Sequence, residues 1–259
     1  MKVLAVAANT MREAVRDRIL YMLLFFALLM IGASKVISML SAGTRPVTIV
    51  IDVGLASISF FSMLISIFMG IGLVSKEIER RTIHAVVSKP ISREAFVLGK
   101  FLGMLATIAL NEIVMVAFFA STLWLWGASF TREEAMALAL QLVESALILA
   151  LAIAFSGVAS PMLASMFTLC SYFVGHWMDG LRLLIEKLPG AAERTVALAL
   201  YRLLPNLELL NLKNQVVFPE PAVAASLPAQ FRLGLLYGVC YTGAVLALAA
   251  LAFRRKDFL

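Results

Sequence analysis

Residues 70–103 read GIGLVSKEIERRTIHAVVSKPISREAFVLGKFLG, a basic and amphipathic stretch set between two long uncharged runs. Val53 to Ser75 is 23 residues without a charge, and Phe101 to Thr131 carries one, Glu112. About 20 continuously apolar residues cross a bilayer core as a helix, so both runs predict membrane spans and the stretch between them is a loop at a membrane surface. Helices are preferred to a β-barrel because the runs are continuously apolar, not alternating.

Working outward, the whole chain has the same character. Its 259 residues are 62% hydrophobic and 15% charged, with a mean hydropathy of +0.95. Soluble domains hold about 45–50% apolar and about 25% charged residues. The spacing of uncharged runs predicts an all-α, polytopic membrane protein built as one domain. It has six transmembrane helices, at 19–40, 51–74, 96–127, 135–156, 162–178 and 233–253. Residues 145–178 are too long an uncharged run for one span, and Gly157 to Pro161 divides it.

Outside the spans, residues 1–18 combine Val3, Leu4, Val6 and Ala7 with Arg12, Arg16 and Arg18, the pattern of an amphipathic surface helix. Thr10 and Glu13 have capping-box spacing, which suggests a helix beginning or restarting there. A cleaved signal peptide is disfavoured by the long basic region and the poor cleavage site at Ile31-Gly32-Ala33-Ser34. Residues 180–231 carry charges every few residues and are punctuated by prolines, Pro205, Pro219, Pro221 and Pro228 among them, which predicts short amphipathic helices on the outer membrane surface. Cys170 and Cys240 fall within apolar runs, where small buried thiols are expected.

Basic residues orient the chain. Thirteen of the 22 Lys and Arg residues fall at the two termini and in the 76–100 region, whereas the short opposite loops carry Arg45 and Arg132. The positive-inside rule then places both termini and the central loop in the cytoplasm. The basic residues of 180–231 and Arg232 count less, because long translocated segments escape the rule. The same distribution explains the net charge of +6 by membrane lipids and gives no reason to expect nucleic acid. No GxxxxGK[ST] phosphate loop is present, so a nucleotide-hydrolysing engine is expected on another chain.

Several polar residues interrupt the spans. Asn111, Glu112, Gln141 and Glu144 lie within apolar runs, where a bare carboxylate is expensive and must be paired, protonated or set in a polar cavity. Ser59, Ser62 and Ser66 share one helical face, suited either to close helix packing or to lining a pathway. An intramembrane hydrolase built on His176 lacks a convincing serine motif. An ion- or proton-coupled secondary transporter using Glu112 and Glu144 is the competing transport class.

In the central loop, Glu77 and Arg80 are spaced to pair along a helix continuing span 2. Lys89-Pro90 ends that helix, and Ser92 is placed to cap the next one, with Glu94 in its first turn. A charged surface with an apolar face at Ile78, Ile83, Val86 and Val87 suits either a docked partner or a solvated loop.

The order of motifs adds a family. Lys76-Glu77-x-Glu79-Arg80-Arg81-Thr82, Ser88-Lys89-Pro90-x-Ser92-Arg93 and Gly99-Lys100 resemble the permease subunits of ABC-2 type transporters. The resemblance extends to Leu204-Pro205-Asn206-Leu207-Glu208, Asn211 and the terminal Phe253-Arg254-Arg255-Lys256-Asp257-Phe258, and is nearest to the branch that serves nitrous-oxide-reductase maturation. Many members carry Gly where this chain has Arg81. The resemblance implies a non-enzymatic half-transporter of the bacterial inner membrane that pairs with a second copy, most simply as a homodimer. Two copies of a cytoplasmic ABC ATPase would bind ATP and Mg, with no cofactor on this chain. Residues 76–95 would be the coupling segment, through Glu77, Glu79, Arg80, Arg81, Thr82, Pro90, Ser92 and Arg93. Spans 2 and 5 would face the dimer axis, making Ser59, Ser62, Ser66, Thr168 and Tyr172 candidate pathway lining. Residues 180–231 would form an outer gate or a site for a periplasmic partner, and transport would run outward.

Overall fold

A computed structural model of the chain describes residues 2–40, 46–80, 93–218 and 226–255. Ten α-helices and one 3-10 turn account for the regular structure among them. In order these are α1 (Lys2–Ala14), α2 (Arg18–Leu40), α3 (Pro46–Arg80), α4 (Arg93–Leu125) and α5 (Arg132–Ser156). Then follow α6 (Pro161–His176), α7 (Met178–Glu186), α8 (Ala191–Leu203), the 3-10 turn (Leu207–Leu210), α9 (Lys213–Val217) and α10 (Leu227–Arg255). Five helices, α2 to α5 and α10, are long and apolar enough to cross a membrane. The expected fifth span, α6, is a 16-residue helix. At 1.5 Å per residue it covers about 24 Å, short of a hydrocarbon core of about 30 Å. The break before it falls where the sequence put it, between Ser156 and Pro161, with proline in the first turn.

The bundle is built around α5. Leu140, Leu147, Leu149, Ala150 and Ile153 are buried together with side chains of α3, α4 and α10. Its start is fixed by a capping box: Thr131 Oγ1 accepts from Glu134 N, and Glu134 Oε2 accepts from Thr131 N at 2.8 Å. The end of α4 is fixed by Gly127 at φ 71°, with Ala128 N donating to Leu123 O and Gly127 N to Trp124 O. Lys35, at the end of α2, places its ammonium 5.9 Å from the centre of the Trp126 ring.

The exterior is apolar. Phe25, Phe26 and Leu29 on α2, Phe60 and Phe68 on α3, Phe167 and Phe173 on α6, and Leu236 and Val239 on α10 are all exposed. Such a surface is stable in lipid and not in water. Cys170 and Cys240 also stand on this surface as free thiols, contrary to the expectation of burial. A thiol is apolar enough to face hydrocarbon as readily as a core.

At the opposite end from the α4–α5 turn, α1 lies across α4. A Cβ on Gly99 would stand 2.7 Å from Val6 Cβ, and one on Gly103 would stand 2.4 Å from Ala7 O and 2.8 Å from Thr10 Cβ. The GxxxG pair of α4 is therefore the seat of the amphipathic helix, and only glycine allows the backbones so close. Because Thr10 is buried in that contact, α1 runs unbroken through it, and the capping-box restart suggested by Thr10 and Glu13 does not occur. We expect Gly103→Val to unseat α1 and speed tryptic cleavage at Arg12 and Arg16 in detergent. Gly243→Ala, where a Cβ meets nothing within 4 Å, should leave cleavage at the wild-type rate.

Candidate functional site

The segment between α6 and α10 does more than lie on a surface. Although α8 exposes Val196, Leu200 and Leu203, the following residues Leu207, Leu210, Leu212 and Val217 are buried in the bundle. Three glycines make room for them. A Cβ on Gly175 would meet Leu207 Cγ at 2.7 Å, one on Gly234 would meet Leu209 O at 2.6 Å, and one on Gly238 would lie 3.1 Å from Leu210 Cδ2. Side chains then fix the backbone. Tyr237 Oη accepts from Asn206 N at 2.7 Å, and the Tyr241 hydroxyl donates to Leu203 O at 2.8 Å. Asn206 Oδ1 accepts from Glu208 N, and Asn211 Oδ1 from Lys213 N, the local turns that Asn favours.

The product of this folding is the position of Lys213. The residue as a whole is half-buried, but its ammonium turns inward and donates to Ser59 Oγ on α3 and to Gln141 Oε1 on α5, the latter at 3.2 Å. Ser59 and Gln141 are themselves buried. The charges acting on Lys213 are, in order of strength, Glu144, Glu208 and Glu112. Glu144 is twelve residues from either end of α5, about 18 Å of helix each way, and it is fully buried. His176 Nε2 on α6 stands 3.5 Å from Glu144 Oε1, a contact longer than a strong charge-assisted hydrogen bond. The imidazole is held by its other nitrogen, 3.2 Å from Tyr172 O, and by the Tyr172 ring at 4.5 Å between centroids. The Tyr172 hydroxyl completes the group beside Ser59. At the rim, burial is the main cause that raises Glu208 above the usual carboxylate range. Asp179 adds to the shift, while a hydrogen bond with Asn211 and the charge of Lys213 oppose it.

Of the residues singled out in the sequence, Ser59, Tyr172, Gln141, Glu144 and Glu112 meet in this cluster. Asn111 does not take part: its Nδ2 donates to Thr107 O at 2.8 Å. Ser62, Ser66 and Thr168 are buried against neighbouring helices. The Ser66 and Thr168 hydroxyls return to their own helix, donating to Ser62 O and Ala164 O. Glu77, Glu79 and Arg80 lie on the last turns of α3, and Arg93 opens α4. Arg81, Thr82, Pro90 and Ser92 fall outside the described residues.

The sequence alone gives Lys213 no role beyond a surface charge and marks Glu208 only as part of a family motif. The available signal was the setting of Lys213, a lone cation between Leu209-Leu210-Asn211-Leu212 and Val216-Val217-Phe218. His176 was weighed only as a catalytic base. A test of the segment's anchoring is Tyr237→Phe, which strips Asn206 N of its acceptor. A lost bond of this kind costs about 1 kcal/mol, and amide exchange across residues 205–213 should quicken while that of α5 stays slow.

Comparison with known proteins bears on the class of molecule. No curated protein matches the chain. A family model described as ABC-2 family transporter protein matches residues 4–258, nearly the whole length. The all-helical architecture, the lipid-compatible exterior and this match agree, and the chain belongs to the ABC-2 family of transporter proteins, as a membrane-spanning permease component.

Proposed function

We propose that the chain is the membrane half of an ATP-driven exporter. Two copies form the pathway, and each receives mechanical work from a separate cytoplasmic ABC ATPase that binds ATP and Mg. The observation that carries this is the family match over residues 4–258. The two longest helices support it. The 35 residues of α3 and the 33 of α4 extend about 50 Å each, well beyond a hydrocarbon core of about 30 Å. Both overshoot toward the end where α1 packs. That leaves residues 76–95, with Glu77, Glu79, Arg80, Arg81, Thr82, Pro90, Ser92 and Arg93, as the coupling segment between two continuous helices.

In this reading α6, despite its length, completes a sixth crossing, the termini and residues 76–95 are cytoplasmic by the weight of Lys and Arg at that end, and the membrane is the inner membrane of a bacterium. Residues 205–217 then lie toward the outer leaflet and act as the outward stopper of the pathway, with Lys213 as the latch on Ser59 and Gln141. Ser59 and Tyr172, beside that latch, are the pathway residues of first interest. ATP-driven closure of the ATPase pair would tilt α3 and α4 together and withdraw Ser59 from Lys213.

Co-purification tests the docking. The wild-type chain should retain its cognate cytoplasmic ABC ATPase, and a Glu77→Arg, Arg81→Glu double variant should lose most of it while remaining folded. Undiminished retention by that variant would contradict docking at this segment.

A further inference from the structure

Two acids and one base share the interior of the bundle, and their charges do not balance. Glu144 is 0% exposed and Glu112 is 4% exposed. None of their four carboxylate oxygens has a hydrogen-bond partner among the described residues. Glu112 feels Glu144 and Lys213, and Glu144 feels Lys213 and Glu208. With both glutamates ionised, two buried negative charges would face the single ammonium of Lys213, and Glu208 at the rim adds a third. An uncompensated charge at bilayer depth costs several kcal/mol. Two carboxylates buried in one such site cannot both ionise freely.

We infer that the bundle binds one monovalent cation in addition to Lys213, and that this cation is a proton held by the Glu112–Glu144 pair. Lys213 decides how it is held. Its ammonium donates to Gln141 Oε1, one turn from Glu144 on α5, so Glu144, on the ammonium's side of the pair, keeps the negative charge and Glu112 carries the proton. Titration belongs to the pair as a whole, and the assignment states its dominant form.

Other carriers of the missing charge fit less well. A divalent metal ion needs a shell of several oxygens, and no group of three or more His, Cys, Asp or Glu side chains among the described residues could hold one; sodium and potassium are distinguished by the salt dependence of Tm. His176 could hold the proton instead, but its Nε2 is 3.5 Å from Glu144 Oε1, beyond the 2.7–2.9 Å of an imidazolium–carboxylate bond. The neighbours from the other packed elements, Ser59 of α3 and Tyr172 of α6, carry no charge in their ordinary forms. The inference concerns a resident proton and stands whether or not an ATPase drives the molecule.

Infrared spectroscopy of the purified full-length protein in lipid is the direct test. The wild type should show the C=O stretch of a protonated carboxyl group from a buried site. Glu112→Gln should remove that band and shift Tm by no more than about 2 °C, because glutamine resembles the protonated acid. Glu144→Gln should lower Tm by roughly 6 °C or more, since it leaves Lys213 without its counter-charge. Lys213→Met should increase the band about twofold, as Glu144 takes up a proton in place of the lost ammonium. Absence of the band, or its survival in Glu112→Gln, would overturn the inference. So would a Tm that depends on sodium or potassium but not on choline, which would assign the charge to a metal ion. Loss of stability in His176→Gln equal to that in Glu144→Gln, without a carboxyl band in the wild type, would place the proton on the imidazole.

Discussion

An ammonium group inside a membrane bundle must be matched, and the structure around Lys213 follows from that requirement. Ser59 and Gln141 supply the hydrogen-bond acceptors, while Glu144 supplies the charge. Breaking such a set on one side leaves an uncompensated charge, at a cost of about 3–5 kcal/mol. To bring Lys213 to this depth, a short segment of broken helix has to enter the bundle, where every backbone polar group needs a partner. Asn206, Asn211, Tyr237 and Tyr241 provide those partners. Gly175, Gly234 and Gly238 provide the space. The small-residue and tyrosine positions of α6 and α10 thus serve the placement of one charge.

One helix joins this cluster to the surface proposed to meet the ATPase. Ser59 precedes Arg80 by 21 residues on α3 without a break, a separation of about 32 Å along the axis. Within that span, Gly70 lies so close to α5 that a Cβ would stand 2.5 Å from Ala152 Cβ, and Ile65 shares the core with Leu149 and Ile153. In the proposed function, a tilt applied at the Arg80 end would act against α5 and at Lys213 together.

Much of the architecture was legible in the sequence, because a bilayer demands long apolar runs and those runs are unmistakable. The break at Gly157–Pro161 and the extension of α3 past its span were visible for the same reason. The motif Leu204-Pro205-Asn206-Leu207-Glu208 marked the family, but its task was hidden: Asn206 and Leu207 act on residues 30 or so positions away, such as Tyr237 and Gly175. Lys213 was hidden by its company. In a stretch that also contains Arg182, Lys187, Arg194 and Arg202, one more cation looks like surface, and only the tertiary contact with Ser59, 154 residues earlier, distinguishes it. The buried carboxylates were recognised as needing a partner, whereas the partner lay in a segment assigned to the exterior. Periodicity cannot find a contact of that range.

The claim at the centre of this account is that Lys213 and Glu144 are matched charges within the bundle. A double-mutant cycle measures that match. Thermal stability of the purified protein should fall in Lys213→Met and in Glu144→Gln, and the double variant should be more stable than either single one. If the losses simply add, the two charges are not matched, and the placement of residues 207–217 inside the bundle is contradicted.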